Sequence, residues 1–231
     1  MLFNSFDRIR IVNLPHRKDR RAEMERELRR IGLEREPRVA FFPAVATAEK
    51  GPFWRPGDNG CFLSHFSILK EAAEAGESVL ILEDDCDFLV PQVLEFEMPD
   101  SWDVFYGGYL DASNPDNLDD SEIIGSHFMG FSSRAVKAAA KYLTDYLEPD
   151  FPPDPRAAAE PGFNPAIRPS IDGAYVWFRR AHPELVTVFS MVGTQRPSRT
   201  DIGQLKWFDR TSGVRELAGL MRKTTRRLGL R

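Results

Sequence analysis

Four carboxylates crowd into the decapeptide Val79-Leu80-Ile81-Leu82-Glu83-Asp84-Asp85-Cys86-Asp87-Phe88. Glu83, Asp84 and Asp85 are consecutive and follow directly on an apolar run. Adjacent like charges repel, so the cluster calls for compensation. A hard divalent cation with oxygen ligands, which also takes substrate phosphates, is one answer. A solvated acidic turn whose aspartates cap a helix is the other. The element that positions these acids is the run 79–82, short and continuously apolar after Gly76. That pattern predicts a strand buried on both faces, as in the centre of a parallel sheet. Ligands of open α/β sheets bind beyond the carboxyl ends of the strands, which is where this strand would deliver its acids.

A basic cluster sits near the start of the chain. Residues 9–14 read as a first strand, the turn begins at Pro15-His16, and Arg17, Lys18, Arg20 and Arg21 lead into a helix through Ile31. Met24, Leu28 and Ile31 give that helix its apolar stripe, and Gly32 closes it. Cations at a helix N-terminus oppose the dipole. An anion held there by dipole and cations together would remove the conflict; a solvated basic face is the plain alternative. A further helix is predicted over 60–75, capped by Asp58 or Asn59, with Phe62, Phe66 and Leu69 on one stripe and His65 beside it. Ser64 and His65 are adjacent, so on a helix they diverge by about 100° and cannot act on each other. His65 is either a structural histidine or a general acid–base.

The other segments read as supports. A second strand is expected over 39–45 and a long loop over 47–59. Beyond the acids come a short helix over 90–96, a strand over 103–106, a polar surface loop over 111–122 and a strand from Ile123 to Phe131. Ser132 or Ser133 should start the next helix. Residues 148–169 hold seven prolines, which predicts a semi-extended loop without regular helix or central strand. Ser170-Ile171-Asp172 opens a helix, 185–189 is a last strand, and 192–203 is polar and turn-rich. Val214, Leu217, Met221 and Leu228 then share one face of a basic C-terminal helix. Such a helix suits an anionic membrane surface or an acidic partner, or is a solvated terminal helix.

Composition bounds the class. With 231 residues, 42% apolar and 29% charged, the chain is an ordinary globular one, read as a single α/β domain over 1–212 followed by the tail at 213–231. A net charge of −4 argues against nucleic acid as partner. No signal peptide or transmembrane run is expected. Cys61 and Cys86 are the only cysteines and are read as small buried side chains. A reducing cytoplasm is the expected home.

Taken together, four segments resemble the family 25 glycosyltransferases of lipooligosaccharide and lipopolysaccharide biosynthesis. They are Ile11-Val12-Asn13-Leu14-Pro15 with Arg17, Asp19, Arg20 and Arg21; Asn59-Gly60-Cys61-Phe62-Leu63-Ser64-His65; Leu80-Ile81-Leu82-Glu83-Asp84-Asp85; and Ser170-Ile171-Asp172 with Pro197-Ser198. They stand in the family's order. The sequence departs from the family at Ser126-His127-Phe128-Met129-Gly130, which lacks a tyrosine expected near Met129, and in the insert 148–169. Both departures fall on the acceptor side. The resemblance implies a GT-A-like nucleotide-sugar-binding fold, with a central, mostly parallel sheet flanked by helices. It also implies a UDP-hexose donor such as UDP-galactose and inversion at the anomeric carbon.

On that basis Asp85 is expected to bind a divalent metal, Mn2+ or Mg2+, with Asp84 beside it and Glu83 near the ribose. Asn13, Arg17 and Arg20 would hold the nucleotide end. Asp172, outside the acid cluster and at a helix start, would take the acceptor proton or is a plain N-terminal helix charge, and His65 would position the donor or orient a carboxylate. The acceptor implied is a lipid-linked, lipopolysaccharide-type glycan, which the tail would help reach from the inner face of the membrane. Two other classes compete. A metal-dependent sugar nucleotidyltransferase is disfavoured because the first turn has no glycine-rich phosphate loop. A non-catalytic, membrane-peripheral glycan-binding scaffold is disfavoured because all three consecutive acids are present.

Overall fold

The structure, a computed structural model, describes residues 2–197. After a 3-10 turn at Leu2–Ser5, the first strand β1 (Arg8–Asn13) leads into helix α1 (Lys18–Arg30) and strand β2 (Val39–Pro43). Helix α2 (Pro56–Ala75) returns the chain to β3 (Val79–Glu83), followed by β4 (Cys86–Phe88) and α3 (Gln92–Glu95). Then come β5 (Val104–Gly108), β6 (Asp111–Ala112), β7 (Ile123–Ile124), β8 (Phe128–Phe131) and α4 (Ser133–Tyr146). The described chain closes with α5 (Pro155–Ala159), α6 (Ile171–Ala181), β9 (Thr187–Phe189) and β10 (Gly193–Gln195).

Six strands form the main sheet in the order β2-β1-β3-β8-β5-β9. β1 is parallel to β2 and β3, β8 is antiparallel to both its neighbours, and β5 is parallel to β9. The fold is therefore α/β with a mostly parallel central sheet flanked by helices, compatible with a GT-A-like domain. As expected for a strand covered on both faces, Val79, Leu80, Ile81 and Leu82 are wholly buried. Their alternation divides them between two cores. Val79 and Ile81 join Phe62, Leu69, Val136, Leu143 and Phe178 on the side of α2, α4 and α6. Leu80 and Leu82 join Ile9, Ile11, Met24 and Leu28 on the side of α1. Each such side chain removed from water contributes about 1.5–3 kcal/mol, which holds the end of β3 firmly where its acids emerge.

Several element boundaries differ from the sequence expectation. α1 stops at Arg30, and Gly32 adopts φ +77 just past the end, where its N–H and that of Leu33 bond back to Arg29 and Leu28. That left-handed turn favours glycine. α2 begins about a turn earlier than predicted: Arg55 is its cap residue and Pro56 its first residue, so Asp58 and Asn59 lie inside the first turn. Proline suits that position because its missing N–H has no helical partner there. The proline-rich insert does contain a helix, α5, because Asp154 accepts from the N–H groups of Arg156 and Ala157 and Pro155 opens the first turn. The polar loop 111–122 contributes β6, paired with β7. The stretch read as turn-rich from 192 contains β10, which pairs antiparallel with β4. Ser132 caps α4 as predicted, accepting from Ala135 N–H. No helix among the described residues is long and apolar enough to cross a membrane. Ser198, Arg199 and the basic tail at 213–231 lie outside the described residues.

Candidate active site

The parallel strands β1, β2 and β3 end at one edge of the sheet, and a cavity of about 270 Å3 opens there. Val12, Arg20, Gly60, Asp84, Asp85 and Gln195 are among the residues that line it, and His16 stands exposed at its mouth. Register explains the first contact. Val12 lies opposite Glu83, and the N–H of Asp84 extends the ladder by bonding to Val12 O. Asn13 and Asp84 are thereby brought side by side.

Asp84 is fully engaged. Its Oδ2 accepts from Asn13 Nδ2 at 2.6 Å and its Oδ1 from Arg20 Nη1 at 2.9 Å. The same guanidinium nitrogen stands 3.4 Å from Asp85 Oδ2. Basic α1 thus meets the acidic turn, and part of the dipole conflict read from the sequence is resolved within the protein itself. Asp85 is held more loosely, with Gln195 Nε2 at 3.3 Å from each of its oxygens. Burial pushes the Asp85 carboxyl above the ordinary range, against the pull of Arg20. Arg17 pairs with Asp19 at the surface and lines neither this cavity nor the next, although its carbonyl accepts from Asn13.

The Gly-Cys-x-x-Ser-His segment has a physical reading in α2. A side chain at Gly60 would stand 2.4 Å from Val45 O, so glycine lets the helix lie against the chain after β2. Ser64 fixes the approach, donating to Gly60 O and accepting from Val45 N–H. That docking turns His65 inward to the end of β3. His65 is wholly buried, its Nδ1 is 3.0 Å from the Tyr175 hydroxyl, and its Nε2 is 3.7 Å from Glu83 Oε1. Burial lowers its pKa to about 3, so the ring is neutral at physiological pH. It lines neither cavity.

Glu83 stands between two cavities. It borders the first and also a second of about 230 Å3, lined as well by Arg55, Cys61, Ser126, Asp172 and Gln195. Ser126 Oγ donates to Glu83 Oε1 at 2.8 Å. Burial, then the neighbouring charges of Asp85 and Asp172, push the Glu83 carboxyl upward. Asp172, second residue of α6, accepts from Gly125 N–H at 3.0 Å. Its carboxyl is raised by burial, partly offset by Ser126 and by Gly125 N–H.

The structure therefore gathers Arg20, Asp84 and Asp85 around one cavity, with Asn13 behind Asp84, and Glu83 and Asp172 around the adjoining one, with His65 behind Glu83. Sequence reasoning missed Gln195, Ser126, Tyr175 and His16 as members of the site. Ser126 lay in a segment already singled out, whereas Gln195 depends on a three-residue strand with no local signal. The donor set suits a hard divalent ion: Asp85 offers two loosely held oxygens in a buried, net acidic position, where a cation would offset the cost of the charge. Asp84, with both oxygens engaged, would support it from behind.

No protein-family model matches the chain. Curated relatives match over about a third of it. Procollagen galactosyltransferase 1-B of Xenopus laevis is 32% identical over 36% of this chain and 17% of its own length. A glycosyltransferase 25 family member of Drosophila melanogaster is 37% identical over the same shares. Human procollagen galactosyltransferase 2 is 35% identical, again over 36% of this chain but 16% of its own. The chain thus spans roughly a sixth of the length of these relatives. The matches bear out the resemblance to family 25 glycosyltransferases. Two of these three names concern procollagen, and none mentions lipopolysaccharide.

Proposed function

We propose that the chain is a glycosyltransferase that moves a hexose, galactose foremost, from a nucleoside diphosphate sugar to a hydroxyl of a glycan acceptor, with inversion at the anomeric carbon. The observation that carries this reading is the meeting of the acidic turn with Arg20 at one cavity, Asn13 bracing Asp84 from behind, beside a second cavity that holds Asp172. Asp85, with Asp84 behind it, would hold Mn2+ or Mg2+, which supplies charge stabilisation to the diphosphate leaving group. Arg20 adds a fixed positive charge at the same place, and Asn13 keeps Asp84 oriented. Arg17, at the base of the same helix, is a peripheral contact for the nucleotide.

In the second cavity Asp172 takes the proton of the attacking hydroxyl. Its raised carboxyl suits it to that role, because a base works best with a pKa nearer the operating pH. Gly125 N–H holds one of its oxygens in place. Glu83 and neutral His65 position the wall between donor and acceptor. The acceptor is read as a lipid-linked, lipopolysaccharide-type glycan reached from the cytoplasmic face of the membrane, with the basic sequence at 213–231 as the peripheral contact. The names of the relatives favour a second reading, a hydroxyl on a collagen-like polypeptide. Incubation of the full chain with a panel of nucleotide sugars, Mn2+ and each acceptor class decides among the readings. Release of free nucleoside diphosphate with a glycosylated acceptor supports transfer. Release of pyrophosphate marks a nucleotidyltransferase, and no turnover with retained glycan binding marks a scaffold.

A further inference from the structure

Cys61 and His65 are four residues apart on α2 and so project from the same face. Both face Glu83 at the end of β3, and one ligand atom of each of the three lies within 4.8 Å of the others. His65 Nε2 is buried without a hydrogen-bond partner and is directed at this point. A buried ring nitrogen left in that state is costly and asks for an explanation. Behind it, the Tyr175 hydroxyl is placed to accept from Nδ1–H, which leaves the Nε2 lone pair free as a ligand. Histidines that bind metals have such a partner on the other nitrogen as a rule.

Sulfur, imidazole and one carboxylate are a ligand set of the zinc type, softer than the all-oxygen set at Asp85. Cys61 and Glu83 both line the two cavities, so a fourth position would open toward the cleft. We propose that Cys61, His65 and Glu83 form a second metal site, selective for a borderline-soft divalent ion of the zinc class and separate from the hard-cation position at Asp85. On binding, the Cys61 thiol and the Glu83 carboxyl give their protons to solvent as the metal–sulfur and metal–oxygen bonds form, and the ion ties α2 to the end of β3. This proposal does not depend on the transfer reaction.

Cobalt is the probe, added as Co2+ to the reduced full-length protein without oxygen. The expected result is one equivalent, apart from any Co2+ taken up at Asp85, that gives an intense thiolate-to-cobalt absorption and the visible bands of a four-coordinate ion. Cys61→Ser should abolish the thiolate absorption, whereas Cys86→Ser and Asp85→Asn should keep it. Tyr175→Phe should weaken Co2+ affinity about 10–100-fold. Absence of a thiolate band in the wild-type protein overturns the site whatever the variants do. So does a band that survives in folded Cys61→Ser or is lost in Asp85→Asn.

Discussion

The two ends of one short peptide, Glu83-Asp84-Asp85, live in different electrostatic worlds. At the Asp84–Asp85 end a guanidinium and two side-chain amides converge from α1, β1 and β10. At the Glu83 end the neighbours are a serine hydroxyl, a thiol and a neutral histidine. Burial raises the carboxyls at both ends, but at Asp85 the pull of Arg20 and Gln195 offsets part of it, whereas at Glu83 the charges of Asp85 and Asp172 add to it. An acidic run is thus not a single functional unit: strand register and the elements packed on each face assign its members different chemistry.

The largest effect is expected at Asp85. Asp85→Asn should lower transfer on the order of 10^3-fold, comparable to losing a main electrostatic contact to a transition state, with the fold retained by circular dichroism. Wild-type turnover would place the leaving-group site elsewhere.

Next in size is Arg20→Ala, which leaves Asp84 and Asp85 buried without their cation. Removing one partner of a buried pair should cost about 3 kcal/mol in urea unfolding, and the double variant with Asp84→Asn should recover part of it. An additive double variant would show that Arg20 does not compensate Asp84.

Asp172→Asn should reduce kcat about 10^2-fold or more, with donor affinity unchanged, because a base acts in the transition state and not in ground-state binding. Loss of donor affinity instead would make Asp172 a binding residue.

The smallest effect sharpens the contrast through pH. Glu83 is raised in the folded state, so folding favours its protonated form. The stability it contributes is full below its unfolded value of 4.5 and is lost as pH rises through its higher folded value. Glu83→Gln keeps an oxygen acceptor for Ser126 and should stabilise the protein by about 1 kcal/mol at alkaline pH, flattening the decline of Tm on that side. A steeper decline in the variant would contradict a suppressed charge at Glu83.

Much of this contrast could be read from the chain before its fold was known. The buried strand, the acids at its end and the basic first turn are local patterns, and the short strand-to-helix connection keeps Arg20 close to the edge where Asp84 emerges. The divergence of Glu83 from its neighbours was not legible. It arises from Gly60 and Ser64 docking α2 beside Val45, which carries Cys61 and His65 inward. Gln195 was hidden for a related reason. Its strand has three residues and exists only through pairing with β4, about 105 to 109 positions earlier in the chain. The helix in the proline-rich insert was missed because proline was read as a breaker, although at the first helical position after Asp154 it starts one.

On the proposed function, the Asp84–Asp85 end, and not Glu83, is the charged half of a nucleotide site. Calorimetric titration of UDP into wild type, Asp85→Asn and Glu83→Gln, each with and without Mn2+, tests it most directly. Mn2+-dependent UDP binding is expected in wild type and in Glu83→Gln, with its loss in Asp85→Asn. Binding that ignores Mn2+, or that survives in Asp85→Asn while vanishing in Glu83→Gln, would contradict it.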